Sequence, residues 1–248
     1  MSRRRAFTLV ELFVIIAMIG VLMALLLPAV QRVRSAADQM VTASNLRQIG
    51  VAIHHYHHDY GRLPPGYISD SLHPARDPVT YDGPNGWGWG ALILPYLEAD
   101  TLAKRINFNL PCWHPSNAVA VATRVKVFLN PAAPNSDLTF EVKNASGTVL
   151  AVFATSHFAA NAGTDEPWGY TIVDQGEVAT GPFYRNSHVR IADVLDGTSY
   201  TVFVGEHSVI SYKTWVGVVP GAEVAPIEPA RFPFTEPDKA ATLVLVHS

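Results

Sequence analysis

The side chain most out of place for its surroundings is a carboxylate. Glu11 opens an apolar run: from Leu12 to Val30 nineteen consecutive residues carry no charge, and only Gly20 and Pro28 among them fall outside the apolar set. Carrying an ionised, unpaired carboxylate to the centre of a bilayer costs roughly 2.5 to 3.5 kcal/mol, so a residue like Glu11 normally has a partner. The densest cluster of metal-ligand types is His54-His55-Tyr56-His57-His58-Asp59. On a helix, His54, His57 and His58 share one face at i, i+3 and i+4, the spacing that lets two imidazoles reach one ion. No downstream acidic or histidine partner is placed by sequence. A hydrated helix end is the plainer reading, so these three stay weak candidates and no metal or cofactor is assigned.

Other candidates have plainer readings beside the chemical one. Asp193, Asp196, Gly197, Thr198 and Ser199 carry oxygens for a Ca²⁺ loop but lack its alternating ligand spacing, and an Asx-type turn accounts for them. Trp87 and Trp89 could stack on a sugar, although aromatic-glycine alternation also suits a core strand or turn. Glu206 follows an apolar strand and reads as a structural anchor. Cys112, the single cysteine, reads as a small apolar packing residue and rules out an intrachain disulfide or a Cys-rich zinc site. Asn144-Ala145-Ser146 is a glycosylation sequon by pattern only. There is no Gly-x-Ser-x-Gly elbow, phosphate loop or His-Glu-x-x-His, and no catalytic residue is assigned, so the expectation is a protein that is not an enzyme.

These residues need elements to hold them. The chain of 248 residues is 48% hydrophobic and only 16% charged. Most of the apolar excess sits in the Leu12–Val30 run, which as a helix spans about 30 Å, the thickness of a bilayer core. Arg3, Arg4 and Arg5 precede it, which favours an N-terminus inside and the bulk of the chain outside the cytoplasmic membrane, although Arg32 and Arg34 follow it. The formal charge of -3 offers no basic excess for nucleic acid. Neither a small-x-small cleavage site after the run nor a twin-arginine signal fits well, given Glu11 at its mouth.

Beyond the span, Leu46, Ile49, Ile53, Tyr56 and Tyr60 recur at spacings of three and four and predict an amphipathic continuation of the helix, with Gly61 as its stop. Pro28 predicts a kink. Short helices are expected near Ala91–Leu97 and Ala99–Ile106, and one after an Asn117 cap. Strands are expected at Val125–Leu129, Tyr200–Glu206 and Thr214–Val219, and a hairpin at Thr139–Lys143 and Thr148–Ala154. A long helix followed by scattered strands is an α+β pattern, with an antiparallel sheet packed on the helix.

The N-terminal residues Arg3-Arg4-Arg5-Ala6-Phe7-Thr8-Leu9-Val10-Glu11-Leu12 resemble the signal of type IV pilins and type II secretion pseudopilins: a short basic leader, a small residue, then Phe-Thr-Leu-Val-Glu-Leu and an apolar helix. The resemblance implies a pilin-like fold and cleavage by a prepilin peptidase between Ala6 and Phe7, with methylation of the new Phe7 amine. It also implies assembly with other pilin or pseudopilin subunits, in which Glu11 pairs with the Phe7 ammonium of a neighbour within inner-membrane lipid. The family usually has Gly where this chain has Ala6. The implied organisation is a leader at 1–6, a transmembrane and assembly helix at 7–30, its amphipathic continuation at 31–60 and an extracytoplasmic head at 61–248. A tether carrying a ligand-binding head, with glycan stacked near Trp87 and Trp89, is the alternative.

The rest of the chain is similar to a large pseudopilin-like family of unknown function, the DUF1559 (SBP_bac_10) family. Ser44-Asn45-Leu46-Arg47-Gln48-Ile49-Gly50, Leu63-Pro64-Pro65-Gly66, Trp87-Gly88-Trp89-Gly90 and the Ile191–Ser199 stretch before Val204-Gly205-Glu206 carry that likeness in the expected order. Members often have a cysteine shortly before the first of these stretches and another in a Cys-Pro-Ser-Asp motif, a pair whose joint absence suits a lost disulfide. Here the corresponding places are Thr42 and Asn130-Pro131-Ala132-Ala133. Members also continue to a His-Pro-Gly-Gly segment and a further strand, whereas this chain stops at Ser248, from which an unpaired sheet edge is expected.

Overall fold

The computed structural model describes residues 9–133, 139–169, 172–207, 211–224 and 238–246. Helix α1 runs unbroken from Leu9 to Tyr60, 52 residues and about 78 Å. Pro28 lies within it. Strands β1 (Tyr67–Ser69) and β2 (Asn85–Gly88) follow, then helices α2 (Trp89–Leu92), α3 (Asp100–Ala103) and α4 (Ala118–Val121). The remaining strands are β3 (Thr139–Asn144), β4 (Val149–Ser156), β5 (Phe158–Asn161), β6 (Val204–Glu206), β7 (Lys213–Thr214), β8 (Ala222–Val224), β9 (Asp238–Lys239) and β10 (Leu245–Val246).

The strands form three small sheets: β1-β2, β10-β5-β6, and a larger sheet in the order β7-β4-β3-β8-β9. All pairs are antiparallel except β10 on β5, where Leu245 faces Ala160 and Val246 faces Asn161. The last described residues thus form a strand on the edge of a sheet. The architecture is α+β, a long N-terminal helix packed against antiparallel sheets.

The helix has two regimes set by its side chains. From Leu9 to Ala37 every residue is exposed, although this is its most apolar part. Further along, Thr42, Asn45, Ile49, Ala52, Ile53 and Tyr56 are buried. Their steps of three and four keep them on one face against the head. Two polar residues head this stripe, and Tyr60, expected in it, is exposed and instead stacks on Tyr56 at 4.4 Å between ring centroids. Gly61 ends the helix at φ +69, its N–H donating to the His57 carbonyl at 2.8 Å. Only a residue without a Cβ takes that left-handed conformation freely.

The hairpin of β3 and β4 forms as the sequence predicts. Val125–Leu129 is a correction: instead of a strand, Lys126–Phe128 makes one 3₁₀ turn that points Phe128 into the core. There the ring stacks on Trp215 at 6.3 Å and meets Trp89 edge-on at 5.8 Å. The expected strands at 200–206 and 214–219 shorten to Val204–Glu206 and Lys213–Thr214. Asn117 precedes α4 without capping it. Its side chain is fully buried and bonds the Asn107 N–H, the Asn107 carbonyl and the Pro111 carbonyl instead.

With so little regular structure, buried polar groups fasten the loops. Arg185, 2% exposed, pairs with Asp82 at 3.1 Å. Its guanidinium also donates to the carbonyls of Thr80, Ile172 and Val173. Tyr67 donates its hydroxyl to Asp82 at 2.7 Å, and Gln175 bridges the Tyr67 hydroxyl to the Arg185 N–H. Burial raises the Asp82 carboxyl pKa, and Arg185 and the Tyr67 hydroxyl oppose that shift. Removing one member of such a pair strands the other charge away from water. Arg185→Met should therefore lower the unfolding free energy by about 3 to 5 kcal/mol, read from the urea midpoint of the full chain in detergent micelles. A loss within about 0.5 kcal/mol, the size of an ordinary surface substitution, would show that the network fastens nothing.

Candidate functional site

Two regions of α1 are the candidates, the exposed apolar stretch and the place where the helix meets the head. Glu11 lies near the start of the first and is exposed. Ala6 and Phe7 fall outside the described residues. By length and composition α1 is able to cross a membrane.

The junction is built from polar side chains. Thr42 is oriented so that its hydroxyl faces both the Asp38 carbonyl and Asn130 Oδ1, each at 3.0 Å. One turn on, Asn45 Nδ2 donates to the Leu129 carbonyl at 2.9 Å. Asn130 then gathers three elements: its N–H donates to His157 Nδ1 at 2.8 Å, its Oδ1 accepts from the Ala132 N–H, and its Nδ2 donates to Glu206. The His157 N–H donates to the Phe128 carbonyl, and the His207 N–H to the His157 carbonyl. Glu206 is thus an anchor between β6 and the Leu129–Asn130 segment. Thr42 and Asn130 are the two places where the family resemblance puts cysteines, and here a hydrogen bond occupies them. The signal in the sequence was their joint departure from the pattern, which the resemblance reads as a lost disulfide and so as two neighbouring places.

Other sequence candidates separate in space. His54 and His58 are exposed, while half-buried His57 accepts from the Ile191 N–H at 3.4 Å through Nε2. Among the described residues no group of three or more His, Cys, Asp or Glu side chains is placed to hold a metal ion. Asp193 is held by Arg190 at 2.7 Å and accepts from the Arg190 N–H. Those bonds hold its carboxyl at a pKa of about 2, so its oxygens serve the turn. Asn144 Oδ1 accepts from the N–H groups of Ser146 and Thr148 and so builds the hairpin turn. Cys112 is fully buried and its burial pushes the thiol well above its ordinary pKa.

The sugar-stacking reading of Trp87 and Trp89 is overturned. Both are buried, at 1% and 0% exposure, and their Nε1–H groups donate to the carbonyls of Leu110 and Val244. The alternating glycines explain why: β2 runs close against Val216–Val218, with the Gly88 N–H donating to Val216 and the Val218 N–H to Gly86. A Cβ on Gly86 or Gly217 would meet the other segment's backbone carbonyl. The Trp-Gly repeat is a close backbone crossing with its indoles in the core.

Fold and junction together define a class: an α+β head carried on an N-terminal helix that is long and apolar enough to cross a membrane. The profile of a family described as a protein of unknown function (DUF1559) matches residues 31–226. The match covers more than half of the chain, and the chain belongs to that family. No curated protein and no solved structure gives a match.

Two predictions follow from the junction. The double variant Thr42→Cys, Asn130→Cys should form a disulfide in oxidising conditions and raise the melting temperature of the oxidised form above that of its reduced form. Non-reducing electrophoresis and thermal melts read both, and two free thiols after oxidation would show the side chains too far apart. The second concerns pH. Burial lowers the pKa of His157 from 6.5 against the opposing pull of Glu206, and lowers that of His207 to about 3 with help from Lys213. The unfolded chain therefore binds more protons than the folded one below pH 6.5. Stability is fully present above that value and falls as pH drops, with His207 contributing up to about 1.4 kcal/mol per pH unit down to about 3 and His157 acting in the same direction. Urea midpoints at pH 7 and pH 5 should show the loss, and His207→Gln should flatten it.

Proposed function

We propose that the protein is a non-enzymatic, pilin-like or pseudopilin-like subunit of the cytoplasmic membrane. In this reading a prepilin peptidase processes it before Phe7, and it assembles with other subunits through α1 in a type II secretion or type IV pilus-like system. The observation that carries the reading is the division of one continuous helix, apolar and exposed over its first half and docked on the head over the stretch from Thr42 to Tyr56. A cleavable signal alone would need no continuation into the core of the head. The Phe7-Thr8-Leu9-Val10-Glu11 motif at the start of that helix gives the helix its assembly chemistry: a new Phe7 ammonium on one subunit meets Glu11 of its neighbour, each offsetting the other's desolvation in lipid. Arg3, Arg4 and Arg5 orient the N-terminus inward and the head outward.

With both indoles buried, the glycan-binding alternative loses its site, and the assembly reading stands ahead of it. Mass spectrometry of the mature N-terminus, from cells that express the matching peptidase, tests processing: the chain should begin at methylated Phe7. An intact Met1 or a cut beyond Val30 sinks the proposal. Glu11→Ala should be processed normally yet lose crosslinks between neighbouring helices, and undiminished crosslinking would remove Glu11 from assembly.

A further inference from the structure

A cavity of about 220 Å³ opens between the turn carrying Trp168, strand β7 and the segment from Asp238 to Val246. Lys213 lies in its wall at 3% exposure, and its Nζ donates to the Thr242 carbonyl at 2.6 Å. An ammonium has three donors, and among the described residues Thr242 is the one acceptor that this amine meets. His207 lines the same cavity, and its Nε2 is buried with no hydrogen-bond partner among the described residues. A buried polar atom left unpaired costs about 1 to 3 kcal/mol, so Lys213 calls for a further acceptor and the imidazole, as its Nε2–H tautomer, can donate to the same one. Trp168, 2% exposed, and Leu245 add apolar wall. At the more exposed side stands half-buried Asp238, whose charge acts on the Lys213 ammonium; Glu166, also in the lining, already has a partner of its own.

The described lining therefore has a buried cation, a neutral imidazole and, in Asp238, an outer carboxylate. A lone anion meets Lys213 but is opposed by Asp238, and a lone cation meets the reverse. A molecule with both charges suits each side. The volume corresponds to about seven water molecules, room for a small amino acid together with some water. We propose that this cavity binds a small zwitterion of the amino-acid type, its carboxylate on Lys213 and His207 and its ammonium toward Asp238. The site does not rest on the assembly reading, since a tethered subunit and an assembled one carry the same cavity.

Isothermal titration of the full-length chain in detergent micelles with L-alanine, acetate and methylammonium tests this. Alanine should bind saturably, acetate at least about tenfold more weakly, and methylammonium not at all; a tenfold ratio is about 1.4 kcal/mol. Lys213→Met should abolish alanine binding. Asp238→Asn, which removes the acid proposed to face the ligand's ammonium, should narrow the preference for alanine over acetate. Wild-type protein supplies a measurement that needs no variant to fold. The Lys213 amine, its pKa lowered by burial to about 8 against the opposing pull of Asp238, loses its proton above that value, so alanine affinity should fall as pH rises from 7 to about 9. The proposal is overturned by no saturable alanine binding, by equal affinity for acetate, by unchanged affinity in folded Lys213→Met, or by affinity that stays flat across that pH range.

Discussion

The structure depends on one helix meeting two surroundings. An α-helix satisfies its backbone internally, so α1 can lie in lipid, where no water completes an open hydrogen bond, and still enter a protein core without changing conformation. What changes along it is the side chains: large aliphatics on every face up to Val33, then a single stripe beginning at Thr42. The head is organised around that stripe. Ile49, Ala52, Ile53 and Tyr56 join the apolar core, while Thr42 and Asn45 bond to Asn130 and Leu129 where the helix enters it. Apolar contact supplies the driving force, and the polar contacts fix rotation and register, because a helix turned by one residue would leave those donors and acceptors unpaired.

The rest of the head has little repetitive structure with which to resist unfolding. Its strands are mostly two to four residues long, and among the described residues only β3 and β4 make an extended ladder. Stability is carried by three other devices. The Trp89, Phe128 and Trp215 rings fill the centre, the glycines of β2 let its backbone cross close to Val216–Val218, and Arg185 with Asp82 and Tyr67 ties together loops far apart in the chain. The last of these is costly to assemble, since both charges leave water. Once formed it is specific, because few other arrangements supply as many acceptors to one guanidinium.

The hydrogen bond between Thr42 and Asn130 connects fastening with membership of the family. Where the resemblance implies a covalent link between helix and head, this chain relies on a polar cluster that also recruits His157 and Glu206. A disulfide is indifferent to modest acidification, whereas His157 accepts a hydrogen bond through a nitrogen that protonation would fill. The polar cluster therefore ties the helix–head junction to pH.

The long helix, its apolar span, the stop at Gly61, the β3–β4 hairpin and the α+β class were legible in the sequence, because each follows from local periodicity or from a residue with few allowed conformations. The assembly chemistry proposed for Phe7 and Glu11 rests on a sequence motif, on residues that extend beyond the described structure. Long-range geometry decided what local rules could not. A Val-Lys-Val-Phe-Leu run became a 3₁₀ turn because Phe128 had to reach Trp215, and Trp87 and Trp89 became core because glycines brought another backbone against β2. Tyr60 left the helical stripe, and Thr42 and Asn45 entered it. Lys213, His207 and Trp168 carried no motif at all, and only folding brought them to one cavity. Hydrophobic pattern and turn chemistry act over a few residues, whereas burial, pairing and the meeting of distant side chains belong to the whole chain.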